Sequence, residues 1–253
     1  MRIGLVSALP EELSALWSQF ENGERRHIAG REYRAAHWHG AELVAVLSGI
    51  GKVAAASTAT VLIDHFHVDE IILTGTTGGL APGVAVGDVV VARAFIQHDM
   101  DASPLFPRHL VPGYGRAEFP TDDASANRLH DAARWALGHR QTLLETDAIG
   151  EFALPAPRVH QGLIASGDRF VATAAESSAL RAALPAALAV EMEGAAIAQV
   201  CADFRIPLAA LRTVSDRADD QAHVDFRRFV TRVASHYSRA ILDRYLELRA
   251  GCN

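Results

Sequence analysis

The chain has 253 residues and a formal net charge of −6, with 24 Lys and Arg against 30 Asp and Glu. That length fits one large α/β domain or two small ones, and an apolar content of 49% is ample for a sizeable core. Acids and bases are interspersed with no Lys/Arg-rich block, which argues against nucleic acid as a partner; no apolar run nears the roughly 18 residues a membrane helix needs.

Residues 3–8 read as a first buried strand, so the chain opens on structure and not on a signal peptide. Pro10 stands where a first helical residue would, and Leu9, Leu13, Leu16, Trp17 and Phe20 follow helical spacing, so a helix is expected next. Glu11 and Glu12 fall in its first turn, at the positive end of the helix dipole. The alternative for one of them is to look into the crevice at the end of the first strand. Residues 23–47 read as paired strands with turns at Gly30 and Gly40. His37 and His39 share one strand face; with no third ligand at a recognisable spacing they read as exposed, not as metal ligands.

Ser48-Gly-Ile-Gly-Lys-Val53 leads into a helix of small and apolar residues ending at Phe66. Its spacing departs from G-x-x-x-x-G-K-[ST], so it reads as a tight strand-to-helix turn lining a pocket. Residues 70–74 form another buried strand and run into Gly75-Thr-Thr-Gly-Gly-Leu80, where glycines let backbone approach a ligand. A strand from Val86 to Ile96 follows. Residues 97–120 are long, rich in Pro, Gly and aromatics, and without period, as in a lid or an interface arm. Helix is expected over 127–137 and irregular chain over 141–158.

A strand ends at Leu163-Ile-Ala-Ser-Gly-Asp168, and Phe170 just past it either stacks on a planar ligand or packs in the core. Residues 173–183 read as helix. An apolar run, 188–190, then climbs into Glu191 and Glu193, split by Met192, and Gly194 opens a helix. Cys201 in that helix and Cys252 in the tail make no disulfide framework and suit a reducing cytoplasm. A second apolar run, 208–214, ends in Ser215 and Asp216. In an open α/β sheet ligands bind beyond the carboxyl ends of the strands, so acids there are candidates for chemistry. An amphipathic helix over 224–248 closes the chain. Alternating strands and helices predict a mixed sheet covered by helices, in one domain over 1–253.

Gly75-Thr-Thr-Gly-Gly-Leu-Ala-Pro82, Val86-Gly-Asp88, Ser166-Gly-Asp168 with Phe170, Val190-Glu-Met-Glu193 and Arg212-x-x-Ser-Asp216 occur in that order. This combination resembles the purine nucleoside phosphorylase/uridine phosphorylase superfamily. The opening Ile3-Gly-Leu-Val-Ser-Ala-Leu-Pro-Glu-Glu12 and Ser48-Gly-Ile-Gly-Lys52 make it most similar to the 5′-methylthioadenosine/S-adenosylhomocysteine nucleosidases. The resemblance runs to about residue 240 and is weak over 100–127 and 138–158, which read as insertions. It implies a three-layer α/β/α sandwich with a central mixed, partly barrel-like sheet, and a cytoplasmic homodimer. It implies hydrolysis of an adenine–ribose N-glycosidic bond, with no metal and no cofactor. Under it Glu12 activates water, Glu193 holds ribose hydroxyls with Glu191 and Met192 beside the sugar, and Asp216 is the acid at the purine, assisted by Ser215. Phe170 stacks on adenine and the backbone of Val171 reads its edge. Thr76, Thr77 and Gly78 line the pocket; the family often has Ser where Thr76 stands.

The chemistry is coherent by itself. Adenine leaves poorly until a ring nitrogen is protonated, and an acid in a poorly hydrated crevice has its pKa raised and can donate near neutrality. The ribose becomes oxocarbenium-like, which a carboxylate stabilises, and a separate base deprotonates water on the opposite face. A phosphorylase needs a dianion site, commonly built with arginines; Glu12 would repel phosphate, while Arg31, Arg34 and Arg93 are the arginines that could reach inward. Leu105, Phe106 and Pro107 would meet an apolar 5′ thioether, across a dimer interface. Because that loop departs from the pattern, a futalosine hydrolase-like substrate is an alternative. A non-catalytic nucleoside-binding protein is the alternative of another class, and loss of one of the three acids would mark it. His98, Asp99 and Asp101 read as structural or rim residues.

Overall fold

A computed structural model describes residues 1–154, 156–218 and 226–251. Strand β1 (Arg2–Ser7) is buried on both faces, and its side chains feed two cores in alternation. Ile3 and Leu5 point into one, Val6 into the other, as the period of two requires. Strands β2 (Glu24–Ile28), β3 (Arg31–Trp38) and β4 (Ala41–Leu47) form an antiparallel meander, and β4 lies parallel to β1. Helix α1 (Lys52–Asp64) crosses over to β5 (Glu70–Leu73), which pairs with β1 in parallel on its other side.

The remaining strands are β6 (Thr76–Gly79), β7 (Val89–Gln97), β8 (Glu118–Pro120), β9 (Val159–Ser166), β10 (Ala187–Glu191) and β11 (Leu208–Asp216). Among the described residues the order is β2-β3-β4-β1-β5-β11-β6-β10-β9-β7-β8. Strand β7 also pairs back, antiparallel, with β11, so that β11, β6, β10, β9 and β7 close into a barrel. This is the expected mixed, partly barrel-like sheet. Helices α2 (Asp123–Gly138) and α8 (Ser235–Ala250) cover one face, where Leu129, Ala133, Tyr237 and Ile241 meet Ile3, Leu5, Ile72 and Leu211. Helices α1 and α6 (Gly194–Phe204) cover the other, where Ala55, Leu62, Ala195 and Ile197 meet Val6, Leu73 and Ala210. Helix α5 (Ala174–Ala183) flanks the barrel, Leu180 packing on its small core of Leu163, Val171 and Val190. No helix among the described residues is long and apolar enough to cross a membrane.

The expected helix after Pro10 is two short 3₁₀ segments, Pro10–Leu13 and Trp17–Phe20. Leu13, Leu16 and Phe20 are fully buried, and i→i+3 bonds such as Leu16 N–H to Leu13 O (2.8 Å) carry the turns. Apolar residues spaced by three suit the tighter helix as well as the α-helix. Residues 76–79, within the glycine-containing stretch where backbone was expected to approach a ligand, are a strand: β6 completes the barrel between β11 and β10. The stretch 141–158 contains two short helices, α3 (Arg140–Leu143) and α4 (Thr146–Glu151). The closing helix is α7 (Phe226–Phe229), a π-helical segment Val230–Ala234, then α8; Val224 lies outside the described residues. Arg232 of the π segment binds Glu145 (2.8 Å), Asp147 (2.6 Å) and Glu151 (2.5 Å), tying it to α4. The two strand histidines, His37 and His39, are exposed.

Candidate active site

A cleft of about 690 Å³, open solvent included, lies beyond the carboxyl ends of β1, β9, β10 and β11. A nucleoside-sized ligand fits a pocket of this scale. Its lining includes Glu12, Thr76, Thr77, Gly78, Phe170, Val171, Glu191, Met192, Glu193, Ser215 and Asp216. All three expected catalytic acids therefore border one space, although 204 residues of chain separate the first from the last.

Glu12 is buried just after β1, and both its oxygens are occupied. Oε2 accepts from the backbone N–H of Ala8 (3.0 Å) and Leu9 (3.1 Å). Oε1 accepts from Thr76 N–H (2.8 Å) and Thr76 Oγ1 (2.9 Å). Those four donors fill the acceptor sites of a carboxylate and fix its orientation. Gly75, with φ +150°, makes this approach feasible: a Cβ there would stand 2.2 Å from Arg212 Nη1 and 2.7 Å from Glu12 Oε1.

Glu191 and Glu193 bracket the start of α6. Glu191 lines the cleft, but protein donors engage both its oxygens: the Ser166 hydroxyl, Glu193 N–H (3.0 Å), Gly194 N–H (2.9 Å) and Arg212 Nη2. These bonds hold the start of α6 and Arg212 in place at the edge of the cleft. Glu193 accepts from Gly51 N–H (3.0 Å) and Arg212 Nη2 (3.1 Å). Burial, and then the neighbouring charge of Glu191, push its carboxyl up to about 7, against the pull of Arg212 and Gly51 N–H. Arg212 is itself completely buried, and the carboxylates of Glu191, Glu193 and Glu12 hold its pKa up against burial.

Asp216 ends β11. Its Oδ2 accepts from Ser215 Oγ (2.7 Å) and its Oδ1 from Ala218 N–H (2.8 Å). Thr77 donates from Oγ1 to Val190 O (2.7 Å), locking β6 to β10 behind the site. Phe170 is half-exposed and lines the cleft, and Val171 is buried beside it.

Leu105 and Phe106 do not line the cleft of their own chain. Leu105 is 83% and Phe106 41% exposed. The loop carrying them is held away by its own bonds, Tyr114 Oη to Asp203 (2.8 Å) and His109 N–H to Met100 O (2.9 Å). The three arginines that could have reached inward are engaged elsewhere. Arg31 donates to Ser48 O (2.9 Å), Arg34 pairs with Glu32 and stacks over Trp17, and Arg93 donates to Gln161 (2.8 Å) and pairs with Asp123.

Sequence reasoning missed Arg212 as counter-ion, the Gly51 N–H as a donor, and Phe226 and Arg169 in the lining. Arg212 had a signal: a cation inside the apolar run of β11 must be paired to be buried. Phe226 starts α7, and helical periodicity does not reveal which end of a helix meets a cleft.

Comparison with known proteins fits this geometry. The family model described as "Phosphorylase superfamily" matches residues 2–247. The chain is 34% identical over 242 residues to the 5′-methylthioadenosine/S-adenosylhomocysteine nucleosidase of Anoxybacillus flavithermus, covering 95% of this chain and 96% of that one. It is similar to the structure of the S. pneumoniae nucleosidase of that name with the transition-state inhibitor MT-ImmA, at 33% identity and TM-score 0.81, over 98% and 99% of the two chains. The Neisseria meningitidis nucleosidase with methylthio-immucillin-A matches at 32% identity and TM-score 0.82, over 96% and 98%. The chain belongs to the phosphorylase superfamily and, within it, to the 5′-methylthioadenosine/S-adenosylhomocysteine nucleosidases.

Proposed function

We propose that this chain hydrolyses the N-glycosidic bond of 5′-methylthioadenosine and S-adenosylhomocysteine, releasing adenine and the 5-thioribose product. The observation that carries the reading is that Glu12, Glu193 and Asp216 border one nucleoside-sized cleft. The bond from the anomeric carbon to the purine nitrogen breaks as Asp216 gives a proton to a ring nitrogen of adenine. Ser215, bonded to Asp216 Oδ2, orients that carboxyl. Glu193 accepts from the ribose hydroxyls and faces the positive charge that develops on the sugar. Water adds to the anomeric carbon on the opposite face and gives its proton to Glu12. The hydroxyl of Thr76 is the one donor on Glu12 that can rotate away, so the water enters through it. Phe170 stacks on the adenine, Val171 backbone reads its edge, and Thr77, Gly78 and Met192 shape the remaining wall.

The reaction uses water and not phosphate. Among the described residues lining the cleft Arg169 is the single arginine, and its guanidinium is paired with Glu176. Leu105 and Phe106 are assigned to the 5′ substituent held by a second copy, in a homodimer, because they are exposed on their own chain. The site is assigned to the cytoplasm, consistent with the free buried thiol of Cys201. Adenine release from methylthioadenosine, measured with and without inorganic phosphate, tests the reading. Equal rates are expected; release that requires phosphate would make the chain a phosphorylase, and no release would leave a binding protein.

A further inference from the structure

Ile50 of the turn over residues 48–52 and Arg169, Phe170 and Val171 of the segment over 167–171 line the cleft, yet nothing in the reaction uses the charged side chains of Lys52 and Asp168 beside them. Lys52 Nζ donates to Asp99 Oδ1 (2.7 Å) and Gln97 Oε1 (3.1 Å), and stands 3.9 Å from Asp168 Oδ2. Lys52 backbone N–H donates to Asp168 Oδ1 (2.7 Å), and Asp168 N–H donates to Asp99 Oδ2 (2.9 Å). The bonds form a closed ring: Lys52 side chain, Asp99, Asp168, Lys52 backbone. Three segments distant in sequence meet in it, the end of β7, the end of β9 and the turn before α1.

The ring sits immediately behind a group that holds Glu193 and a residue that lines the cleft. One residue before Lys52, Gly51 N–H donates to Glu193 Oε1 (3.0 Å). Gly51 has φ +99°, and a Cβ there would stand 3.0 Å from Asp168 Oδ1, so the turn is seated tightly on the ring. Two residues past Asp168, Phe170 lines the cleft. The lysine of the glycine-rich turn is thus committed to carboxylates and is not held ready for a phosphate.

We propose that Lys52 and Asp99 are positioning residues: their ring with Asp168 sets the separation between the Gly51 N–H that holds Glu193 and the Phe170 face that takes the base. The sugar and the base of one nucleoside are then addressed at the same time. The role assigned to Glu193 rests on the proposed function; the ring itself does not.

The charged and titratable groups facing Glu193 are Glu191 from β10, Arg212 from β11 and Glu12 after β1, with Gly51 N–H as the donor from the turn. Loss of the Gly51 bond removes support from the Glu193 carboxylate and moves its titration to higher pH. Asp99→Asn separates this from a through-space effect. Removing a negative charge would by itself lower the pKa of a nearby carboxyl, whereas loosening the turn raises it.

Lys52→Met and Asp99→Asn are compared with the wild-type chain in steady-state kinetics with methylthioadenosine from about pH 5 to 9. Amide hydrogen exchange over residues 48–52 and 167–171 is measured beside them. Both variants are expected to lose about 10²-fold in kcat/KM, as a displacement of about 1 Å costs, with KM raised and the acid limb moved upward. Lys52→Arg, which keeps the charge, recovers most of the loss. Faster exchange is expected in both segments, with α2 unchanged. An acid limb that moves down in Asp99→Asn, or unaltered exchange in both segments, overturns the proposal. Asp99→Asn keeps the side-chain volume and carries the test if Lys52→Met unfolds. A wild-type chain that releases no adenine sinks the function, and the exchange measurement still decides the ring.

Discussion

Arg212 Nη2 lies 3.1 Å from Glu193 Oε2, buried behind the residues that line the cleft, and the same nitrogen contacts Glu191. One fully buried cation therefore serves two buried carboxylates and faces a third, Glu12. Breaking a buried pair leaves the partner charge uncompensated, typically at about 3–5 kcal/mol. Arg212→Met is expected to destabilise the fold by that order. Adding Glu191→Gln to it should recover part of the loss, because the most crowded carboxylate is then neutral. Thermal unfolding of the two single variants and the double variant reads the coupling; strictly additive losses would show that the pair is not coupled.

Asp216→Asn keeps an acceptor for Ala218 N–H but cannot donate a proton to the leaving base. General acid assistance is worth about 10²–10⁴-fold, and kcat is expected to drop by that factor while adenine still binds. Single-turnover kinetics with calorimetry of adenine binding separates the two effects. Undiminished kcat would remove Asp216 from the mechanism.

Thr76 donates twice to Glu12, once from backbone and once from Oγ1. The Thr76→Ser variant keeps both donors and is expected to keep activity. Thr76→Val keeps the volume and the backbone bond but removes the group through which water reaches Glu12. Its kcat should fall about tenfold, less than the roughly 10²–10⁴-fold that losing the base itself would cost, with KM little changed. A valine variant as fast as wild type would place the water elsewhere.

The raised pKa of Glu193 gives catalysis and stability opposite pH dependences. Its carboxyl titrates at about 7 in the fold against an ordinary 4.5. The folded state therefore binds this proton more tightly than the unfolded chain does. The stability it contributes is fully present below pH 4.5 and lost as pH rises through about 7. The ribose hydroxyls need the ionised form, so kcat/KM should rise through the same window. Glu193→Gln should be slow and should lack that acid limb. A limb retained in the variant would assign it to another group.

The doubly buried strands and the acids that end them are legible in the sequence. β1, β5 and β11 are buried on both faces, and such burial leaves a continuous apolar run that is legible without partners. Acids directly after such runs, Glu191, Glu193 and Asp216, were legible for the same reason: charge adjoining buried strand is costly unless it has a task. Tertiary structure decided how those acids are held. Glu12 meets Thr76 across 64 residues, and Gly51 N–H meets Glu193 across 142. Neither pairing has a local signature, because a backbone N–H is the same group at every position. That 76–79 is a barrel strand was settled by its two neighbours, β10 and β11, since glycines and threonines have no period to read. Leu105 and Phe106 lie outside their own cleft because bonds made elsewhere in the loop set its path. Local composition records how deeply a residue is buried; which groups it meets depends on where distant strands cross.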